Sequence, residues 1–254
     1  MEDTYPILEH DPTREAVIEP RPYGGVQELP ERLVMCFFRG VMDSLAGSGE
    51  SPVIHSLRSG FGPHAVHEVS FDGKRVAVFH PGTGAPLAGA LLDEAIALGC
   101  RKVVACGCCG VLNGDIASGH LVVPISAVRD EGTSYHYLPP SREVGPTPAA
   151  LAAVENVLSS NGIDYVRGKT WTTDAFYRET RDKVNRRRAE GCLTVEMEAA
   201  AMFAVARFRG IELAQILCGA DDLSGDEWDP RDLHKHSSGR EKLFWLAVEA
   251  CAAL

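Results

Sequence analysis

No run of apolar residues in this 254-residue chain approaches the ~18 that a membrane span requires. The first residues, Met1 to Leu8, are acidic and carry no apolar core of an export signal. Basic charge is scarce: 25 Lys and Arg against 35 Asp and Glu leave a formal net charge of −10. That balance argues against a nucleic-acid partner, and the one dense basic run, Arg186 to Arg188, reads as the solvated face of a helix. Linkers, repeats and low-complexity tracts are missing too. The expectation is therefore one domain over 1–254, with an extended, Pro-rich lead-in over 1–30, in a cytoplasmic protein.

A metal site lacks its spacing. Cys106 and Cys108 are separated by one residue and no second Cys pair matches, so the run Cys106-Gly107-Cys108-Cys109 predicts no metal. Cys36, Cys100, Cys192, Cys218 and Cys251 lie in apolar stretches and read as small buried hydrophobes. No activating base marks Cys108 as a nucleophile.

What is present is alternation. Leu33–Phe38, Arg75–Phe79, Lys102–Cys106, Gly119–Ala127, Tyr165–Trp171 and Ala214–Gly219 read as strands. Leu87–Leu98, Pro148–Ser160, Val195–Phe208 and Gly239–Leu254 read as helices, and Gly107–Gly114 as a small-residue turn. Solidly apolar strands between helices predict an α/β sheet covered on both faces, with ligands at the carboxyl ends of the strands. Gly82-Thr83-Gly84, Cys106–Cys109, Thr172–Tyr177 and Asp221-Asp222 each follow a predicted strand, a convergence that predicts an enzyme.

The sharpest signal is Thr194-Val195-Glu196-Met197-Glu198-Ala199-Ala200-Ala201, then Leu217-Cys218-Gly219-Ala220-Asp221-Asp222. With the Gly82, Cys106 and Thr172 segments, these motifs resemble, in order and spacing, the nucleoside phosphorylase and nucleosidase superfamily from about Val76 to Leu254. Arg129 to His136 resembles its uridine phosphorylase branch. The resemblance implies a three-layer α/β sandwich with a central mixed β-sheet, and a homo-oligomer (dimer or trimer of dimers). It also implies cleavage of a purine or pyrimidine nucleoside by phosphate to free base and sugar 1-phosphate. No cofactor is expected; phosphate is the co-substrate.

By the same resemblance Glu198 takes the ribose hydroxyls, Met197 packs under the sugar, and Asp221 is the acid that donates to the base nitrogen of purines. Phe176 stacks on base or sugar; its plain alternative is a core aromatic. Glu196 either helps hold the base or faces elsewhere, since an acid at a helix N-terminus is also favoured by the dipole. Asp221 and Asp222 have the alternative of capping a turn. Thr83, Gly84, Cys108 and Arg58 complete the candidate substrate-binding set. The segment Ser224–His236 suits a flap over the base, with Trp228 as part of it or as an interface anchor.

The departures concern phosphate. The family segment Gly-Asp-Pro-x-Arg is missing, Ile18-Glu19-Pro20-Arg21-Pro22 being a poor match. Ala105 stands where a second family Arg belongs, and Cys108 where a Ser or Thr does. Either phosphate is held by Gly82–Gly84 amides with Arg58 and Arg178 or Arg231, or water is the nucleophile, with Glu19 the stand-in for a nucleosidase's activating carboxylate. A non-catalytic nucleoside-binding or storage protein is a further alternative, against which Glu198 and Asp221 speak. The uracil-reading Gln-x-Arg falls on Thr180 and Asp182, with Arg178 or Arg181 nearby.

Overall fold

Runs such as Leu33–Cys36 and Val76–Phe79 have no polar face to offer water, and both lie wholly buried in a sheet. The computed structural model describes residues 5–20, 28–231 and 237–254, apart from the side chains of Ser237 and Ser238. In the first half the elements are β1 (Arg32–Cys36), α1 (Arg39–Ser48), β2 (Val53–Ser59), β3 (Gly62–Phe71), β4 (Lys74–Phe79), α2 (Ala85–Ala97), β5 (Lys102–Val111) and β6 (Leu121–Asp130). There follow α3 (Ser134–Tyr137), β7 (Glu143–Val144), α4 (Pro148–Ser160), β8 (Tyr165–Thr173), α5 (Arg181–Ala189), β9 (Cys192–Glu196), α6 (Ala199–Arg209), β10 (Glu212–Asp222) and α7 (Ser237–Ala253).

The strands form one mixed sheet in the order β10-β6-β8-β9-β5-β1-β4-β3-β2, with β7 beside β6. Because β10 also pairs with β5, the sheet curls into a ring of β10, β6, β8, β9 and β5. Helices α2 and α6 cover one face through Leu91, Leu92, Met202 and Phe203; α1, α4 and α7 cover the other through Val41, Val154, Leu158 and Phe244. Each such fully buried side chain stabilises the fold by roughly 1.5–3 kcal/mol. The result is the three-layer α/β arrangement expected from the sequence.

Two parallel groups of strands, β4-β1-β5-β10 and β6-β8-β9, run in opposite directions. They overlap at their carboxyl ends, where Gly110 pairs with Val195 and Val111 with Thr194. That overlap gathers the polar motifs of both groups in one place.

Three expectations need correction. Gly107–Gly114 is not a turn up to Gly114: β5 continues to Val111. Its small residues answer crowding inside the ring, since a Cβ on Gly107 would lie 3.2 Å from Phe37 and one on Gly110 2.7 Å from Leu223. The helix expected from Val195 begins only at Ala199, because Cys192–Glu196 is strand β9, where β-branched Thr194 and Val195 pack well. The basic run is only partly solvated: Arg187 is buried in α5, 3.1 Å from Asp130 and 2.9 Å from Glu190. Helix α1 and strands β2 and β3 carried no clear sequence signal.

Of the lead-in, Pro6–Leu8 is one 3-10 turn, and the described residues after it lack regular structure up to Pro20. Arg14 stacks on Phe208 and Glu19 faces Arg209, so this segment lies along the carboxyl end of α6.

Candidate functional site

Glu196 ends β9 and α6 starts at Ala199, so Glu196-Met197-Glu198 is a strand-to-helix turn. The buried first amides of α6 have no partner within the helix and need acceptors. Glu196 supplies one: its Oε2 accepts from the N–H of Glu198 at 2.7 Å and of Ala199 at 2.6 Å, while its Oε1 accepts from Thr172 Oγ1 at 2.6 Å. Thr172 in turn accepts from the N–H of Ala200 at 3.0 Å. Burial pushes the Glu196 carboxyl up to about 7 against these hydrogen bonds.

Glu198 reaches the other way, and its Oε1 accepts from the N–H of Gly84 at 2.5 Å. Burial first, and then the neighbouring Glu196 charge, push its carboxyl up to about 8. The Glu196 charge thus adds to burial in holding a proton on Glu198, as like charges in one site do.

Gly84 belongs to the turn after β4. Gly82 and Gly84 have φ of 79° and 96°, a left-handed backbone that glycine adopts without penalty. Gly84 caps α2 without any side chain of its own to serve the helix amides, which leaves this N-terminus a favourable place for an anion. Beside it, His80 Nδ1 accepts from the N–H of Gly82 at 3.0 Å, so that nitrogen carries no proton. Burial, then the charge of Arg39, hold His80 below the usual histidine range, and the ring is neutral.

Asp221 stands at the end of β10, and its Oδ2 accepts from Trp228 Nε1 at 2.8 Å. Trp228 is carried by a loop folded back on β10, where Asp222 and Asp229 exchange both backbone hydrogen bonds. Arginines fasten this loop: Arg181 donates to the carbonyls of Leu223 and Asp226, Arg188 to that of Ser224, and Arg231 pairs with Asp222 at 2.5 Å. Glu179, half-buried, has its carboxyl raised to about 7 by burial and then by the Asp221 charge. Cys108, on the floor between β5 and β10, has its Sγ 3.4 Å from Cys218 Sγ.

Residues 31–250 match the model of the Phosphorylase superfamily. The chain belongs to that superfamily. A guanosine phosphorylase of Halorubrum lacusprofundi is 31% identical over 197 residues, which span 75% of this chain and 81% of the relative. The fold matches that of a purine nucleoside phosphorylase from Toxoplasma gondii, with a TM-score of 0.76 at 20% identity over 94% of this chain and 97% of the other. It also matches an AMP nucleosidase from Bacteroides thetaiotaomicron, with a TM-score of 0.71 at 22% identity over 88% of each.

Within this superfamily fold the candidate residues fall into two linked groups. Glu198, Glu196, Gly84 and Thr83 form one around the α2 and α6 N-termini, with Met197 half-buried on the same turn as the two glutamates. Asp221 and Cys108 form the other, close enough that the Asp221 charge acts on the Cys108 thiol. Gly110 joins them, since a Cβ there would lie 3.0 Å from Val195 and 3.4 Å from Asp221 Oδ1.

Phe176 is not a core aromatic: it is 51% exposed and lies against Tyr177 with ring centroids 4.1 Å apart. Arg58 is exposed on edge strand β2, and Arg178 is exposed on the 3-10 turn Phe176–Arg178. Two arginine readings change. Arg231 and Arg181 are spent on the loop, and Arg129 is buried with its guanidinium on Ser134, Ser141 and two carbonyls. Asp222 serves as Arg231's partner and accepts from the N–H of Ser224 at 2.7 Å, the capping role weighed for it. Arg21 and Pro22 of the weak phosphate-segment match, and 232–236 of the expected flap, lie outside the described residues.

Glu19 is at the wrong end. It faces Arg209, the last residue of α6, whereas Glu198 precedes the first; an 11-residue helix separates them by about 16 Å. Sequence reasoning missed Glu179, whose only signal was its place just after the Phe176 segment, and the two-way role of Thr172. No group of three or more metal-ligating side chains gathers among the described residues, and no helix among them is long and apolar enough to cross a membrane.

Proposed function

We propose that the protein is a nucleoside phosphorylase, a pentosyltransferase that splits the N-glycosidic bond of purine nucleosides with phosphate. The observation that carries this reading is the Glu198–Gly84 contact, which ties the candidate sugar carboxylate to the turn that opens α2. A ribose over Met197 would place its hydroxyls on Glu198, and phosphate at the α2 N-terminus would sit beside the same sugar. A phosphate oxygen then bonds to C1′ as the bond from C1′ to the base nitrogen breaks. Asp221 gives that nitrogen a proton, with Glu179 beside it as a second carboxyl that holds a proton near neutral pH. Phe176 is free to stack on the base. The products are free base and sugar 1-phosphate, and the reaction balances without a cofactor.

The phosphate charge would be met by Arg39 near the Gly82–Gly84 turn, and by Arg58 from a neighbouring subunit of a homo-oligomer, with the neutral His80 ring as a hydrogen-bond partner only. This replaces the family arginines lost at Ala105 and in the N-terminal segment. The purine preference rests on Asp221 and on the guanosine phosphorylase likeness. Eight free thiols fit a reducing, cytoplasmic setting.

A second reading, hydrolysis, is favoured by Ala105 and by the AMP nucleosidase likeness in fold. The position of Glu19 weighs against it. Base release from a nucleoside panel, with and without phosphate, separates the two. Phosphate-dependent release with sugar 1-phosphate supports the proposal; equal release without phosphate overturns it in favour of water.

A further inference from the structure

Four thiols share one face of the sheet. Cys36 pairs in register with Cys106 across β1 and β5, and Cys108 pairs with Cys218 across β5 and β10. Cys106 and Cys108 are two residues apart on one strand and so point the same way. Their access to solvent differs sharply. Cys36 and Cys106 are fully buried, Cys218 is 8% exposed, and Cys108 is the one of the eight that is not buried. Beside the second pair is a cavity of about 70 Å³, lined by Cys108, Ser118, Gly119, Cys218 and Arg240, which holds more than one water and has room for a peroxide.

We propose that Cys108 and Cys218 are a peroxide-oxidisable pair that forms a disulfide across β5 and β10 in the floor of the candidate site. The two Sγ atoms are 3.4 Å apart and must approach by about 1.4 Å to reach bonding distance. Neighbouring strands place Cα atoms about 4.8 Å apart, inside the range that a disulfide accepts. The irregularity in β10 between Gly219 and Asp222 lies immediately beyond Cys218, which gives that strand slack where it would have to move.

The two thiols are also unlike. The hydrogen bond between them lowers the Cys108 thiol, helped by Arg240, and the same bond raises Cys218. Cys108 is also the more exposed of the two, open to the cavity from which peroxide arrives, and so is the attacking thiolate, with Cys218 the resolving thiol. Cys108 sulfur attacks one oxygen of hydrogen peroxide; the O–O bond breaks, leaving Cys108 sulfenic acid, and the other oxygen leaves as water. Cys218 sulfur then attacks the sulfenic sulfur; the S–S bond forms and hydroxide departs with the Cys218 proton as a second water. Two thiols lose two electrons and the peroxide takes both.

The test is peroxide titration of the whole protein, followed by a non-reducing peptide map. The expected result is a loss of two thiols and a cross-link between the tryptic peptides 103–129 and 210–231, reversed by dithiothreitol. The cross-link persists in Cys106→Ser and is lost in Cys108→Ser and in Cys218→Ser; in Cys218→Ser, dimedone traps the sulfenic acid on Cys108. A cross-link that survives Cys108→Ser overturns the assignment, as does sulfinic acid on Cys108 of the wild type without any cross-link. Mass scores the bond whether or not a nucleoside is turned over. Loss of turnover on oxidation, regained with dithiothreitol, rests on the phosphorylase reading and is scored separately.

Discussion

Glu198 accepts from the Gly84 N–H at 2.5 Å across 114 residues of chain, so the sugar carboxylate and the anion-ready turn are joined before substrate arrives. The contact uses one lone pair of one carboxylate oxygen and leaves the other oxygen for hydroxyls. The proposed sugar and phosphate subsites would thereby be coupled through a single hydrogen bond.

Above pH 8, where Glu198 is ionised, replacing it by Gln keeps an acceptor for Gly84 but removes the charge that hydroxyls would bond to. Hydrogen bonds to a charged group are worth ~1.5–3 kcal/mol, so kcat/KM for ribosides should fall by roughly 10- to 150-fold. Steady-state kinetics on a riboside and its 2′,3′-dideoxy analogue check this. A variant that loses equally on both has not lost a hydroxyl contact.

Asp221→Asn should slow purine nucleoside cleavage at least ~10²-fold, the usual scale for a general acid. The Asn side chain can still accept from Trp228, so the loop should stay in place. Unchanged turnover, measured as base release, would sink the assigned role.

Stability should fall as pH rises towards 8. Both carboxyls of the Glu196–Glu198 pair titrate above their ordinary 4.5, at about 7 and about 8, so the folded chain binds protons more tightly than the unfolded one. Their contribution is complete below about pH 4.5 and is lost as pH climbs through 7 to 8. Tm measured from pH 5 to 8 without ligand should therefore decline, and decline less in Glu198→Gln. Parallel profiles for the two proteins would mean that Glu198 does not take up its proton on folding.

Arg187→Ala should cost about 1–2 kcal/mol, because Asp130 and Glu190 lose the buried guanidinium they share and keep only the more exposed Lys183 and Arg142. Arg186→Ala, at an exposed neighbour, should stay within about 0.5 kcal/mol. Urea unfolding of the two variants decides whether the basic run is one solvated face or contains a structural ion pair.

How far the sequence could be read follows from where periodicity exists. Apolar runs and glycine stops located β1, β4, β6, β8, β10, α2, α4 and α7, because burial on both faces leaves a continuous apolar signal. Strands β2 and β3, at the open end of the sheet, bury only scattered positions such as Leu57, Val66 and Val69 among exposed and half-buried ones, and their mixed composition gives no run to detect. Val195 and Glu196 were read as helix because the alanines after them are helical in pattern; two β-branched residues and a capping carboxylate make the boundary. In the site, Glu198, Asp221 and Gly84 were legible as motif residues. The inward role of Glu196, the proximity of Glu179 to Asp221 and the diversion of Arg181 and Arg231 were not. Each of these depends on contacts between segments far apart in the chain.

Helix α6 is buried along Ala199 to Ala206, capped by Glu196 at one end and pinned by the Arg209–Asp93 pair at 2.7 Å at the other. A helix walled in on all sides by close packing has no room to tilt or slide. Its amino end can then serve as a fixed datum: Glu198 keeps its place while substrate comes and goes. A flap, if the surface loop that carries Trp228 acts as one, would open by the release of carbonyls from three arginines, with no motion of the scaffold.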